Sequence, residues 1–293
     1  MENRIKGGLY GLSVGDALGC TVEFMMPEHI QKVFGVHKDI AGGGIFGFEK
    51  GEVTDDTDMA LCVARGIIQN PDNPIESIGE EFVNWVDSDP KDVGMTVRQS
   101  VINYMHEKDW ELASLRTHQT LNGKSGGNGS LMRCLPISLA YTNLHQITRY
   151  SHNQSVMTHY DKEAAHCCAL YNQIAYFLLQ GWTLEDSLRK VLEGTRYLSS
   201  MDLKPSENPD AYVVNTFKWM VYTLMHTNSF EEAVVYAVNL GHDADTLASV
   251  VGGLAGIHYG YENIPSRFTD VLLCKNELDT IAESLIAVRQ KSL

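Results

Sequence analysis

Gly7, Gly11, Gly15 and Gly19 recur at strict four-residue spacing in a stretch whose other residues form helix readily. Four residues is close to one helical turn, so these glycines make a bare stripe along one side of a helix. Each costs roughly 1 kcal/mol relative to alanine inside a helix, and a stripe of four needs compensation. Close approach of another helix is the usual form of it. Gly252, Gly253, Ala255 and Gly256 repeat the theme near the C-terminus. Both helices are therefore expected to be central and tightly packed.

The chain between them also reads as helix. Met59, Cys62, Val63 and Ile67 share one helical face, as do Val213, Phe217, Met220, Val221 and Leu224, and again Leu247, Val250, Val251 and Leu254. Thr183 with Asp186 and Ser229 with Glu232 have capping-box spacing, and Gly194 and Gly241 stand where those helices would close. Residues 35–53 and 118–130 are glycine-rich and read as loops, common places for chemistry on a rigid body. No run of alternating strands and no linker-like change in composition appears. The expectation is an all-α fold in a single domain, residues 1–293.

A formal charge of −14 argues against binding nucleic acid or anionic lipid, since both rest on clustered Lys and Arg. No apolar run has transmembrane length, and the N-terminus lacks a signal-peptide layout. The six cysteines make no Cys-x-x-Cys pair and lie mostly in apolar stretches, as reduced core thiols do. A cytoplasmic protein without stable membrane insertion is expected.

Two acidic segments stand out. Thr54-Asp55-Asp56-Thr57-Asp58 directly precedes a helix, and so does Asp243-Ala244-Asp245-Thr246 after Gly241-His242. Asp and Thr favour such positions as helix caps. One residue is enough for a cap, however, and the first segment supplies five. Hard divalent cations need several carboxylate oxygens converging from short backbone spans, which both segments offer. Together they could hold two ions roughly 3.5–4 Å apart, as in two-metal hydrolytic sites.

Gly126-Gly127-Asn128-Gly129-Ser130 leads into Leu131-Met132-Arg133, and a glycine-rich helix entrance suits a diphosphate. A Walker A reading fails, because His118 stands where its first glycine belongs. Asp16 and Glu23 lie seven residues apart on the first helix, roughly on one face. Asp92 and His159 are polar residues beside apolar helices; singly, each is more often structural than catalytic.

Taken together, residues 8–24, 51–61, 126–136, 157–165 and 241–260 resemble the ADP-ribosylglycohydrolase family, especially its dinitrogen-reductase-activating branch. The matching stretches follow family order and span nearly the whole chain. The resemblance implies a compact multi-helix bundle with a binuclear Mg²⁺ or Mn²⁺ site. By matching motif positions it implies Thr54, Asp55, Asp56, Asp243, Asp245 and Thr246 as metal ligands. It implies Glu23 as an acid beside the metals, Gly127, Asn128, Gly129 and Ser130 around the ADP-ribose diphosphate, and His159 near the ligand. Asp92 matches an acid that faces the arginine side of the substrate. His242, where many relatives have glycine, and Met95, in place of a polar residue, depart from the pattern.

The reaction implied is hydrolysis of the N-glycosidic bond from ADP-ribose to arginine, with Glu23 or Asp56 as base and Asp92 steering the guanidinium. The partners implied are an ADP-ribosylated protein, in that branch the nitrogenase iron protein, and a nitrogen-signalling regulator, with the enzyme itself a monomer. Cleavage of a serine or O-acyl linkage, and a non-catalytic ADP-ribose-binding role, remain alternatives. Prenyl-diphosphate chemistry fails because Met59 occupies its third acidic position, and the Asp-x-Asp-x-Thr phosphatase motif fails because Thr246 directly follows Asp245.

Overall fold

The glycine stripe meets its partner at the C-terminal stripe. In the computed structural model, which describes residues 1–291, helix α1 (Glu2–Gly19) crosses a helix at Ala244–Tyr259 with backbone against backbone. A Cβ built on Gly7, Gly11 or Gly15 would overlap the carbonyl oxygen of Gly256, Gly252 or Ala248. One on Gly19 would strike the Asp245 backbone. The crossing thus ends where the second acidic segment begins.

Around this pair the chain forms helices throughout. After α1 come α2 (Pro27–Phe34), α3 (Asp55–Gln69), α4 (Pro74–Asp87), α5 (Met95–Glu107) and α6 (Trp110–Thr120). Then follow α7 (Pro136–Ala140), α8 (Leu144–Val156), α9 (Lys162–Leu179) and α10 (Leu184–Leu192). The last are α11 (Val213–Met225), α12 (Phe230–Asn239), α13 (Ala244–Tyr259), α14 (Ser266–Thr269) and α15 (Lys275–Lys291). The described residues contain no strand, only the isolated bridges Gly43–Phe48 and Gly127–Tyr212. The fold is all-α, as expected. Thr183 and Ser229 cap α10 and α12 by accepting the Asp186 and Glu232 N–H groups.

One contiguous buried cluster runs from Ile5 on α1 to Val288 on α15. Five of the six cysteines are buried and all six are free thiols. No helix among the described residues is long and apolar enough to cross a membrane.

Three local expectations are corrected. Helix α1 stops at Gly19, so Glu23 lies in the turn beyond it. Phe24 then takes a left-handed conformation (φ 60°). The expected loop at 118–130 starts later, because α6 runs to Thr120. Nor does the glycine loop open a helix. The N–H groups of Leu131 and Met132 fold back onto the Asn128 carbonyl at 2.7 and 3.1 Å, and the next helix begins only at Pro136.

Candidate active site

The two acidic segments meet at one end of the α1–α13 crossing. Thr54 caps α3, its hydroxyl accepting the Asp56 N–H at 3.2 Å. Within the segment only Thr54 caps the helix, and the neighbouring carboxylates are left for other work. Asp16, fully buried on α1, fixes the segment from below. Its carboxylate accepts the Thr54 N–H at 3.1 Å, the Thr57 N–H at 3.0 Å and the Thr57 hydroxyl. Asp55 turns the other way and accepts the Gly94 N–H at 3.2 Å, which ties α3 to the start of α5.

On α13, Asp243 occupies the cap position without capping. Its carboxylate instead accepts the Asn128 side-chain amide at 2.6 Å, and that amide also reaches Thr216 at 3.0 Å. The Thr246 hydroxyl donates to Asp56 at 3.2 Å, joining the two segments across the crossing. Glu23 arrives by a short backbone exchange. Phe24 N–H donates to the His242 carbonyl at 2.6 Å, and His242 N–H to the Met25 carbonyl at 2.8 Å. In consequence, ligand oxygens of Glu23, Asp243 and Asp245 lie within 4.8 Å of one another.

This packing of acids is electrostatically costly. Burial is the largest influence on each, and like charge adds to it. Glu23 is pushed up to about 9 by burial, then by Asp92, Asp243 and Asp55. Asp16 rises to about 7 and half-buried Asp92 to about 6, both chiefly by burial. Burial also drives Asp55, Asp56 and Asp245 well above the ordinary carboxylate range. Glu23 Oε2, Asp56 Oδ1 and Asp245 Oδ1 are buried with no hydrogen-bond partner among the described residues. Unpartnered buried carboxylate oxygens carry a large desolvation cost unless a cation meets them. The donor set is hard oxygen throughout, which fits Mg²⁺ or Mn²⁺ and not a soft metal.

Above the acids lies a cleft of ≈290 Å³ lined by Glu23, Asp55, Asp92, Asn128, His159 and Asp243, among others. Gly127 and Gly129 form one wall, held where Asn128 N–H donates to the Ala211 carbonyl at 3.0 Å. His159 stands behind them, its Nε2 close to where side chains at either glycine would begin. Ser130 is placed differently: its hydroxyl is buried against Ser155 at 2.8 Å and points into the core. A larger groove of ≈520 Å³ between α2 and α12 is lined by exposed Glu28 and Glu232 and by Val36 and Val235. It lacks buried carboxylates, so size does not decide where the chemistry lies.

The sequence model of the ADP-ribosylglycohydrolase family matches residues 1–292. The chain belongs to that family. It is 32% identical to the ADP-ribosyl-[dinitrogen reductase] glycohydrolase of Rhodospirillum rubrum, over 94% of this chain and 92% of that protein. It is 29% identical to the ADP-ribosylarginine hydrolase Tri1 of Serratia proteamaculans, over 97% of this chain and 79% of that one. A solved structure titled "ADP-ribosylglycohydrolase-related protein complex" superposes with a TM-score of 0.83 at 27% identity. The match covers 100% of this chain and 99% of that chain. As a family member the chain is a hydrolase.

Of the two departures from the family pattern, Met95 lines the cleft and His242 directly precedes the lining residue Asp243. His242 has φ 59°, a left-handed conformation in which glycine is unstrained, which is why glycine suits that position. Met95 is 72% exposed on the cleft rim, and Phe24, 59% exposed, lines the same cleft. Sequence reading alone missed Phe24 as a wall residue, Asp16 as the support of α3, and the Asn128–Asp243 hydrogen bond. No local pattern marks a contact between residues 115 positions apart.

Proposed function

We propose that this chain hydrolyses the N-glycosidic bond between ADP-ribose and an arginine of a modified protein, using two divalent cations, Mg²⁺ or Mn²⁺. The observation that carries the reading is the convergence of Glu23, Asp243 and Asp245 in a cleft walled by Gly127–Gly129, with unpartnered buried oxygens on Glu23, Asp245 and nearby Asp56. Thr54, Asp55, Asp56, Asp243, Asp245 and Thr246 would hold the ions. When bound, the ions supply Lewis acidity and a template for ribose hydroxyls and water.

The chain's own groups have separate tasks. Gly127, Asn128 and Gly129 line the diphosphate, and Asn128 also orients Asp243. Ser130 contributes through its backbone, its hydroxyl being engaged in the core. Asp92 holds the guanidinium by a charge-assisted hydrogen bond. The electron pair of the C1″–N bond leaves with the guanidinium, neutralising it, through an oxocarbenium-like transition state. A water oxygen bonds to C1″ and gives up a proton, which passes by way of the base to the departing guanidine. Glu23 is favoured over Asp56 as that base, because it lines the cleft whereas Asp56 lies beneath it, tied to Thr246.

A modified protein as substrate, with the nitrogenase iron protein as one candidate, follows the relative from R. rubrum, whose printed name gives dinitrogen reductase. Arginine follows the Serratia relative. A nitrogen-signalling regulator as second partner and a monomeric state rest on the resemblance of the sequence. A single domain is supported by the contiguous core, although residues 292–293 lie outside those described. Free thiols support a cytoplasmic location.

The test is a panel of defined substrates (ADP-ribosyl-arginine, ADP-ribosyl-serine and O-acyl-ADP-ribose) assayed with Mg²⁺, with Mn²⁺ and with chelator. Cation-dependent release from the arginine substrate is expected. Faster turnover of either other linkage would replace arginine as the substrate, and undiminished turnover in chelator would remove the cations from the reaction.

A further inference from the structure

Arg133 is 0% exposed, yet its hydrogen bonds go to neutral acceptors. Its Nε donates to Gln154 Oε1 at 2.8 Å, and its Nη2 donates to the Gln154 carbonyl at 2.9 Å and the Thr158 hydroxyl at 2.8 Å. Phe82 covers its face at 4.2 Å. A cation buried on such partners is costly, so its position calls for a reason. The reason is found two bonds further on. Thr158 Oγ1 lies 2.8 Å from His159 Nδ1, and the opposite ring nitrogen of His159 faces the glycine wall of the cleft.

Donor accounting fixes the direction of this chain. A guanidinium can only donate, so Thr158 Oγ1 accepts from it. The one proton of that hydroxyl then has His159 Nδ1 as its acceptor. If Nδ1 carried a proton instead, the hydroxyl would accept twice and its own buried proton would be unpaired. Gln154 ties the same guanidinium to the glycine loop, its amide donating to the Ser130 carbonyl at 3.0 Å.

We propose that Arg133 is a positioning residue that, through Thr158, fixes His159 as the neutral tautomer with its proton on Nε2, a hydrogen-bond donor to an oxygen of ADP-ribose in the cleft. Burial and the nearby Arg133 charge both hold the imidazole far below its ordinary range, at about 3, so the ring stays neutral. A neutral donor suits a site already crowded with charge, because it binds a ligand oxygen without adding a cation that the acids would capture. The inference rests on the ADP-ribose reading of the cleft.

The experiment is nitrogen-15 NMR of histidine-labelled protein, with the His159 signals assigned by their loss in His159→Gln. The same proteins are titrated with ADP-ribose. The wild type is expected to carry its His159 proton on Nε2 at both pH 5.5 and pH 8. Thr158→Ser keeps that signature. Thr158→Val and Arg133→Met mix the two tautomers and weaken ADP-ribose binding ~10-fold, the scale of one neutral hydrogen bond. A wild-type His159 protonated at Nδ1 would overturn the proposal, as would Thr158→Val with unchanged tautomer and affinity. Should Arg133→Met fail to fold, the Thr158 pair still decides. Failure of the wild type to bind ADP-ribose would count against the function proposed above, while the tautomer spectrum would still judge this one.

Discussion

Asp245 puts a buried oxygen beside Glu23, Asp56 and Asp243 with no donor to meet it. Such a group destabilises the cation-free protein and is useful only when a cation is present. Asp245→Asn should therefore raise the melting temperature of chelator-treated protein, abolish the further rise that Mn²⁺ gives the wild type, and lower activity more than about 100-fold, beyond the loss typical of an outer-shell partner. Thermal scans with and without Mn²⁺ and a hydrolysis assay check all three. Glu23 gives the same conflict a pH dependence. Its carboxyl rises from 4.5 to about 9 on folding, so the native state holds a proton that the unfolded chain releases. Glu23's contribution to the stability of the cation-free protein is then fully present below pH 4.5 and is lost as pH climbs toward 9. Denaturant midpoints of chelator-treated protein should be higher at pH 5 than at pH 8.5; equal midpoints would contradict the shift. A bound cation should shrink the difference, because it stabilises the ionised carboxylates.

At the scale of elements, the α1–α13 crossing sets the site, and its glycines are the most sensitive positions in the fold. Gly15→Ala gains roughly 1 kcal/mol of helix propensity but drives a methyl group into the Ala248 carbonyl. Overpacking of about 3 kcal/mol outweighs that gain, so a net loss of about 2 kcal/mol is expected in urea denaturation, together with reduced activity. An exposed control such as Glu283→Ala on α15 has no comparable clash. This crossing was readable because four-residue spacing is a local property of helices. The partner of each stripe was not, since no residue in either names the other. The end of α1 was equally hidden. Cys20, Thr21 and Val22 contain no glycine or proline to stop a helix. The stop comes from Phe24 and Met25 pairing with His242, more than 200 residues away. The glycine loop looked like a helix entrance, but after a single turn closed on the Asn128 carbonyl the chain runs on as turns, and the next helix begins at Pro136. The acid clusters were legible as clusters; that Thr54 and the distant Asp16 share the capping of α3 while Asp243 binds Asn128 required the tertiary structure.

For the whole molecule, the net charge of −14 and the buried acids describe one strategy at two depths. Surface carboxylates repel polyanions, while the buried set concentrates negative potential where cations can enter. Ligand linkage follows: a cation at 100 times its dissociation constant stabilises the fold by about 2.7 kcal/mol. The backbone-on-backbone crossing adds a constraint of a different kind. Along their glycine faces α1 and α13 meet backbone to backbone, and the turn that carries Glu23 is tied to His242, so Glu23 and the Asp243–Asp245 pair have little freedom to move apart. Mg²⁺ has oxygen ligands at about 2.0–2.1 Å, and Ca²⁺ needs about 2.3–2.6 Å and more of them. On the proposed two-cation reading, the two glycine stripes would act as a gauge for ionic radius. Calcium should raise the melting temperature less than Mg²⁺ or Mn²⁺ at equal concentration, and Gly15→Ala, by prising the helices apart, should narrow that gap.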